Sequence, residues 1–169
     1  IATPLVTGQV AVKSPDPVMM LGYWNNPDAT KDKFQDGYWL TGDYAHRDEE
    51  GYFHFDGRRD DLMSVAGYRI GPSEIEDCLL GHPAVGMVAV VGLPDPIKGQ
   101  AIKAFIVVGD PSVDEAILAQ ELRQRVRERL APHEVPRDIS FVDVLPMTST
   151  GKIIRAQLRG AHDLPERRA

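Results

Sequence analysis

Three stretches of the sequence place charged side chains beside glycine, an arrangement that could bind a nucleotide. The first is PMTSTGKIIR (Pro146–Arg155), in which Lys152 follows Gly151. A Walker phosphate loop needs an earlier glycine five residues before this one, and Ser or Thr after the lysine. Pro146 and Ile153 stand at those positions, so a Walker loop is excluded. Alone, a Gly-Lys pair is typical of a turn that carries a solvated lysine.

The other two stretches contain carboxylates and arginines. In Thr41–Asp43 a glycine precedes an aspartate, which could accept hydrogen bonds from the two hydroxyls of a ribose. The same pattern is common in turns and helix caps. GRRDDLMSVAGYRIGPSEIE (Gly57–Glu76) contains arginines that could bind phosphate oxygens, and Gly67 would let a ligand approach the backbone closely. The alternative for this stretch is a salt-bridged turn followed by the start of a helix.

The composition limits the class of protein. The 169 residues carry a formal net charge of −6, which argues against nucleic acid or an anionic membrane as the main partner. No apolar run reaches the length of a membrane span, and the first residues lack the pattern of a secretory signal. A single cysteine fits a reducing compartment, so a cytoplasmic location is expected. The absence of an initiator methionine predicts a piece of a longer chain.

The histidines and the cysteine form no recognisable catalytic or metal-binding set. The five histidines lack the spacing of metal ligands, so structural or solvated roles are expected and no metal site is predicted in this chain. Cys78 falls on the apolar face of a predicted helix, which favours a small core residue over a nucleophile.

Upstream of residue 60 the sequence predicts short strands and turns without a long helix. A strand, a turn with a short helix, and two further strands are expected at Leu5–Lys13, Gly22–Phe34, Tyr38–Asp43 and Gly51–Gly57. This pattern favours a β-rich subdomain. The charged stretch Arg58–Asp61 marks the predicted boundary between a domain of residues 1–59 and a domain of residues 60–169.

Beyond this boundary helices and strands alternate, which predicts a compact α+β domain. Two segments have the spacing of a capping box at a helix start, Ser73–Glu76 and Ser112–Glu115. Strands are expected at Val85–Leu93, Ala101–Val108 and Ile139–Leu145, and a final short helix at Lys152–Arg159. One helix is expected to bury an apolar stripe of Ile117, Leu118, Leu122, Val126 and Leu130. The expected architecture is a three-stranded sheet flanked by helices, followed by a frayed tail, HDLPERRA.

Taken in order, three segments resemble core motifs of the adenylate-forming (AMP-binding) enzymes, which include acyl-CoA synthetases, firefly luciferase and nonribosomal-peptide adenylation domains. The segments are YWLTGD, DEEGYFHFDGRRDDLMSVAGYRIGPSEIE and PMTSTGK. Their order and spacing make the set specific, and the resemblance covers about residues 8–159. It implies that residues 1–59 end a large N-terminal adenylating domain and that residues 60–169 form the small, mobile C-terminal domain.

The resemblance also implies roles for individual residues in nucleotide chemistry. Lys152 would be the catalytic lysine of the adenylation step. Asp43 would bind the ribose hydroxyls of ATP, Arg58 would contact the ribose and phosphate region, and Arg69 would contribute to ATP or AMP binding. Acetylation of Lys152 by a lysine acetyltransferase, reversed by a deacetylase, would remove its positive charge and stop that step.

A second group of matching residues concerns domain movement and the thiol substrate. Asp60 matches the hinge between the two domains. Gly67 and Tyr68 would lie on the loop that faces the pantetheine tunnel of CoA. Many family members carry lysine where this chain has Ser64. That difference and GYRIGPSEIE favour similarity to acetyl- and medium-chain acyl-CoA synthetases.

The activity implied for the full-length protein has two half-reactions. A carboxylic acid and ATP give an acyl-adenylate and pyrophosphate, and CoA then takes the acyl group and releases AMP. Mg²⁺ would be held mainly by the missing N-terminal part, so the fragment alone is expected to be inactive. One alternative is an adenylation domain that loads a carrier protein instead of CoA. Another is a non-catalytic binding domain derived from the family.

Overall fold

The computed structural model describes residues 6–110 and 112–160. Its internal contacts divide the chain into two compact units, unit 1 (Ile1–Asp60) and unit 2 (Asp61–Ala169). The tail that was expected to be frayed lies outside the described residues. None of the helices in the described ranges has the length and apolarity that crossing a membrane requires.

Unit 1 is built around one long strand, β3, which pairs antiparallel with three shorter strands. Its elements are β1 (Gly8–Lys13), α1 (Pro27–Lys31), β2 (Phe34–Gln35), β3 (Tyr38–Arg47) and β4 (Phe53–Arg58). Helix α1 begins at Asn26, whose side-chain oxygen accepts a hydrogen bond from the first turn. Trp39 is buried and packs edge-on against Phe34. The predicted strands and short helix are confirmed within the described residues, and β3 continues past Asp43 to Arg47.

Unit 2 contains a five-stranded sheet in the order β6-β5-β8-β7, with β9 also paired to β8. The strands are β5 (Met63–Val65), β6 (Tyr68–Ile70), β7 (Val85–Asp95), β8 (Gly99–Val108) and β9 (Asp138–Phe141). β9 runs parallel to β8, and the other pairs are antiparallel. The α+β class is confirmed, but the expected count of three strands was too low. Strands β5 and β6 have three residues each, which is too short for an alternating pattern to be recognised in the sequence.

Helices cover both faces of this sheet. They are α2 (Pro72–Leu80), α3 (Glu115–Arg129) and α4 (Arg155–Gly160). Leu79 and Leu122, from α2 and α3, belong to a core cluster that also contains Val90, whereas Leu158 from α4 belongs to a second cluster that contains Val91. Successive residues of a strand point to opposite faces. Both faces of β7 are therefore buried, which explains its continuous apolar run.

The amphipathic stripe of α3 is narrower than predicted. Leu118, Leu122 and Val126 are buried as expected, but the side chain of Ile117 is 56% exposed. Leu130 lies just beyond the helix as its C-cap residue and is only partly buried. The helix therefore buries a single row with a spacing of four residues, and this row packs into the core cluster that contains Leu79 and Val90.

Neither predicted capping box forms. Helix α2 begins at Pro72 without a side-chain cap, and Glu76 makes long-range contacts instead. Helix α3 is capped by Asp114, whose carboxylate accepts hydrogen bonds at 2.9 and 3.0 Å from two N–H groups of the first turn. Proline suits the first helical position and aspartate is as effective a cap as serine. The helix starts therefore differ from those that the Ser-x-x-Glu spacing indicates.

Candidate functional site

Asp43 and Arg58 face each other across neighbouring strands of unit 1. They are register partners on β3 and β4, and the Nη1 of Arg58 donates to the Oδ1 of Asp43 at 3.2 Å. The Nε of the same guanidinium donates to the Oδ1 of Asp60 at 3.4 Å. The side chains of Arg58 and Asp60 are 50% and 70% exposed. Exposed pairs contribute at most about 1 kcal/mol to stability, so these groups remain available to a ligand.

Gly42 brings a second basic group to this surface. Its φ of +87° lies in the left-handed region that favours glycine. A Cβ at this position would lie 3.2 Å from the Nζ of Lys33 and 3.4 Å from the Nη2 of Arg58. The three residues line a cavity of about 460 Å³. Lys33 lies in no sequence motif, and only the folded structure brings it beside Arg58.

The glycine loop of unit 2 is a tight hairpin turn. Ala66 and Gly67 connect β5 to β6 with φ values of +50° and +87°, the signs of a type I′ turn. The N–H of Ala66 donates to the carbonyl of Lys98 at 2.9 Å, and the N–H of Ser64 donates to the Oε1 of Gln100 at 2.6 Å. A Cβ on Gly67 would meet none of the described atoms within 4 Å. The turn is thus held by the β7–β8 connection while the space beside Gly67 stays open.

A buried aspartate organises the connection that holds this turn. Asp95 accepts hydrogen bonds from the N–H groups of Lys98 and Ile97 at 2.8 and 2.9 Å, and it also pairs with Arg137. The N–H groups of Lys98 and Ile97 hold the pKa of the Asp95 carboxyl below its ordinary value, because they stabilise the charged form. Asp95 therefore supports the glycine turn indirectly, by fixing the backbone of Lys98.

Tyr68 and Arg69 follow the glycine turn on β6. The Tyr68 ring is 56% exposed and stacks on the imidazole of His133, with ring centroids 4.0 Å apart and planes 11° apart. Arg69 is exposed and is the register partner of Ser64. His133 lies in a short 3-10 turn, Pro132–Glu134. No local sequence pattern connects Tyr68 with His133, because the two residues lie far apart in the chain.

Lys152 lies on a turn whose backbone is extensively hydrogen-bonded. The N–H of Thr148 donates to the carbonyl of Lys152 at 2.8 Å, and the N–H of Gly151 donates to the carbonyl of Thr148 at 3.0 Å. The hydroxyl of Thr148 accepts from the N–H of Lys152 at 3.0 Å and lies 2.9 Å from the hydroxyl of Thr150. Lys152 is exposed, and no carboxylate in the described ranges forms a salt bridge with it. Its charge is therefore available to a ligand.

Four charged residues lie next to this turn and are called here the arginine cluster: Asp61, Glu76, Arg155 and Arg159. The Nη2 of Arg155 donates to both carboxylate oxygens of Glu76, at 2.9 and 2.7 Å. The Nη1 of Arg155 lies 3.6 Å from Asp61, which also accepts a hydrogen bond from Arg159. The sequence carried no signal for this cluster, since its members come from distant parts of unit 2.

The remaining candidate groups have structural partners. The Nε2 of His54 donates to the Oδ2 of Asp48 at 2.8 Å, and this hydrogen bond holds the pKa of the Asp48 carboxyl below its ordinary value. Burial raises the pKa of the Cys78 thiol, which disfavours a nucleophilic thiolate. Within residues 6–110 and 112–160, no group of three or more His, Cys, Asp or Glu side chains could hold a metal ion.

The predicted site residues thus fall into three groups. Asp43, Arg58 and Asp60 lie together in unit 1. Gly67, Tyr68 and Arg69 share one hairpin of unit 2, and Lys152 lies on a separate turn of the same unit.

Comparison with known proteins shows similarity to a CoA ligase and to CoA synthetases. Residues 74–152 match the AMP-binding enzyme C-terminal domain. The 4-hydroxybutyrate–CoA ligase 1 of Metallosphaera sedula is 45% identical over 94% of this chain and 28% of its own length. Acetyl-coenzyme A synthetase of Bacillus subtilis is 44% identical over 92% of this chain and 27% of its own length.

A solved structure extends this similarity to the fold. The o-succinylbenzoate CoA synthetase of Bacillus subtilis, in complex with its acyl-adenylate intermediate, matches with a TM-score of 0.85 and 33% identity. The match covers 99% of this chain and 33% of that chain. The chain therefore spans only a quarter to a third of the length of these proteins.

Proposed function

We propose that this chain, whose residues 74–152 match the AMP-binding enzyme C-terminal domain, is the C-terminal portion of an acyl-CoA synthetase. The full-length enzyme would convert a carboxylic acid, ATP and CoA into acyl-CoA, AMP and pyrophosphate. Unit 1 would be the end of the large adenylating domain, and unit 2 the small mobile domain. The two relatives described above, one a CoA ligase and the other an acetyl-coenzyme A synthetase by name, support this class of reaction.

The observation that carries the proposal is the exposed Lys152 on its hydrogen-bonded turn, where it forms no salt bridge with any carboxylate of residues 6–110 and 112–160. In the first half-reaction a carboxylate oxygen would attack the α-phosphorus of ATP, and the bond to the pyrophosphate oxygen would break. Negative charge then spreads over the transferring phosphoryl oxygens, where an ammonium group stabilises the transition state. Thr148 and Gly151 fix the backbone of Lys152, which reduces the entropy lost when its side chain is positioned.

Asp43 and Arg58 would contribute to binding of the nucleotide. The Asp43 carboxylate has accepting capacity beyond its bond to Arg58, so it could accept from two ribose hydroxyls. Arg58 would contact the ribose and phosphate region, with Lys33 adding positive charge beside it. Arg69 of unit 2 would contribute to ATP or AMP binding. The cavity of about 460 Å³ beside Arg58 is within the range of small-molecule sites.

The second half-reaction would use the glycine turn. The backbone would rotate at Asp60, carrying Lys152 away and bringing Gly67 and Tyr68 to the pantetheine arm. The CoA thiol would attack the acyl carbonyl carbon, AMP would leave, and the thiol proton would be released. The open space beside Gly67 leaves room for such an arm.

Magnesium would accompany ATP as part of the substrate complex. Mg²⁺ would be bound mainly by the portion of the enzyme that this chain does not cover, together with the phosphates of ATP. A cytoplasmic location is proposed, because a free cysteine and the use of CoA both suit a reducing compartment.

Separate measurement of the two half-reactions tests the role of Lys152. In the full-length enzyme, Lys152→Ala should reduce acid-dependent pyrophosphate exchange about a hundredfold or more, the usual effect of removing one electrostatic group. Thioester formation from presynthesised acyl-adenylate and CoA should change little. Lys13→Ala, at an exposed lysine of unit 1, is the matched control and should affect neither step. Equal loss of both steps in Lys152→Ala would contradict the assigned role.

Substrate panels test the wider proposal. The unsubstituted full-length enzyme should release pyrophosphate with at least one carboxylic acid and should transfer the acyl group to CoA. Transfer only to a phosphopantetheinylated carrier protein would favour the carrier-loading alternative. Absence of turnover with every acid would favour a non-catalytic binding role.

A further inference from the structure

The Lys152 turn projects from a base that is fixed at both ends. Before the turn, Leu145 is 1% exposed in the second core cluster. At the base, Met147 and Ile153 form a β-bridge, and the N–H of Ile154 donates to the carbonyl of Pro146 at 2.8 Å. The position of Lys152 therefore depends on what holds the chain directly after this base.

Arg155 holds the chain at that point. It is the first residue of α4, and its two hydrogen bonds to Glu76 connect α4 with α2. The Oε1 of Glu76 also accepts from the N–H of Val90 at 2.8 Å, which fixes the carboxylate to the central part of β7. The core of unit 2 therefore determines where Arg155 lies, and Lys152 is three residues earlier in the chain.

The electrostatics make these contacts difficult to replace. The side chains of Arg155, Glu76 and Asp61 are only 20%, 15% and 13% exposed. The Nε of Arg155 is buried and has no hydrogen-bond partner among the described atoms. Its guanidinium therefore relies on the two carboxylates, and removal of one partner from a partly buried pair leaves a charge poorly compensated.

Asp61 connects this cluster to the boundary between the units. It is the first residue of unit 2 and directly follows Asp60. Its carboxylate contacts Arg155 at 3.6 Å and accepts a hydrogen bond from Arg159, so it binds two residues of α4. The chain that leaves Asp60 is thus joined by side chains to the helix that follows the Lys152 turn.

We propose that the arginine cluster is a positioning device, in which Glu76 and Arg155 orient the Lys152 turn and Asp61 makes the turn move together with the chain that follows Asp60. The effect of this positioning on catalysis rests on the proposed function, whereas the positioning of the turn itself concerns unit 2 alone. When the chain rotates at Asp60, Lys152 would then move with it and would keep its position relative to the core of unit 2. Such precision matters because a misplacement of about 1 Å can cost about a hundredfold in rate.

Hydrogen exchange tests the structural part without any need for activity. In the full-length protein, Glu76→Gln and Arg155→Lys should make the amides of Thr148, Lys152 and Ile154 exchange about tenfold faster, the effect of weakening one charge-assisted hydrogen bond. Amides of β8 should be unchanged. The control Glu121→Gln, at a carboxylate that is 55% exposed on α3, should alter neither region. Unchanged exchange in the turn, or equal acceleration in β8, would overturn the proposal.

Half-reaction kinetics test the catalytic part. Glu76→Gln should lower kcat for pyrophosphate exchange about tenfold at nearly constant KM for ATP, because it displaces a group that acts in the transition state. Thioester formation from presynthesised acyl-adenylate should be nearly unchanged. A merely structural role for Glu76 would slow both half-reactions alike, and that result would overturn the proposal. If the unsubstituted enzyme makes no adenylate, the proposed function fails, while the exchange experiment still decides whether the cluster positions the turn.

Discussion

Substitution of Gly67 by alanine separates backbone strain from contact with a ligand. The φ of Gly67 is +87°, and a Cβ there would meet none of the described atoms within 4 Å. The added methyl group therefore produces no clash, and its cost is the conformational penalty of an L-residue in the left-handed region. That penalty is about 1–2 kcal/mol, which multiplies the unfolded fraction by a factor of about 5 to 30.

Two further glycines of unit 2 provide matched controls. Gly99 has a φ of +77°, and its Cβ would meet the carbonyl oxygen of Ser64 at an ordinary 3.5 Å, so Gly99→Ala should cost about the same 1–2 kcal/mol. A Cβ on Gly160 would meet none of the described atoms within 4 Å, and the φ of Gly160 is not positive, so Gly160→Ala should cost nothing or stabilise slightly. Urea unfolding followed by far-ultraviolet circular dichroism measures all three, because α2, α3 and α4 lie in unit 2.

Kinetics then distinguish the role of the glycine turn. In the full-length enzyme, Gly67→Ala should slow thioester formation at least about tenfold more than Gly99→Ala does, because its methyl group would occupy the space that we propose for the pantetheine arm. Adenylation should be affected little by either substitution. An unchanged unfolding free energy for Gly67→Ala would refute the strain argument. Equal rates of thioester formation in the two variants would refute the argument from space.

Three further predictions concern stability and use the same urea measurement. Leu122→Ala should lower the free energy of unfolding by about 2–5 kcal/mol because the Leu122 side chain is fully buried, whereas Ile117→Ala, at a side chain 56% exposed, should change it by no more than about 0.5 kcal/mol. Similar losses in the two variants would contradict the assignment of Leu122 to the buried face of α3. Asp114→Ala should cost about 1 kcal/mol through loss of the N-cap, and no change would show that the cap is not formed. The pKa of Asp95 is lowered in the folded state. The ionised carboxylate therefore contributes to the free energy of unfolding above the unfolded-state pKa of about 3.9, and this contribution is lost as the pH falls through the lower folded-state pKa. Asp95→Asn should therefore lose less stability on acidification below about pH 4, and parallel pH profiles would contradict this.

Much of unit 2 could be predicted from local patterns. The apolar runs of β7, β8 and β9 and the buried row at Leu118, Leu122 and Val126 were expected, because each depends on residues within one segment. The observed starts of α2 and α3 were not predicted, because several residue types can begin a helix. Three-residue strands such as β5 and β6 also escaped prediction, because they are stabilised by pairing with each other and with β8.

The candidate site shows the same difference between what local patterns predict and what contacts between distant segments decide. The sequence by itself indicated the candidate site residues: Asp43, Arg58, Gly67 and Lys152 were recognisable from residue type, neighbouring glycines and motif order. Only the tertiary structure decided their surroundings, since it paired Glu76 with Arg155, stacked His133 on Tyr68 and brought Lys33 to Arg58. Local patterns record the conformation of a few successive residues. Hydrogen bonds and ion pairs between distant segments form only when the packing of the sheet and helices places those segments side by side.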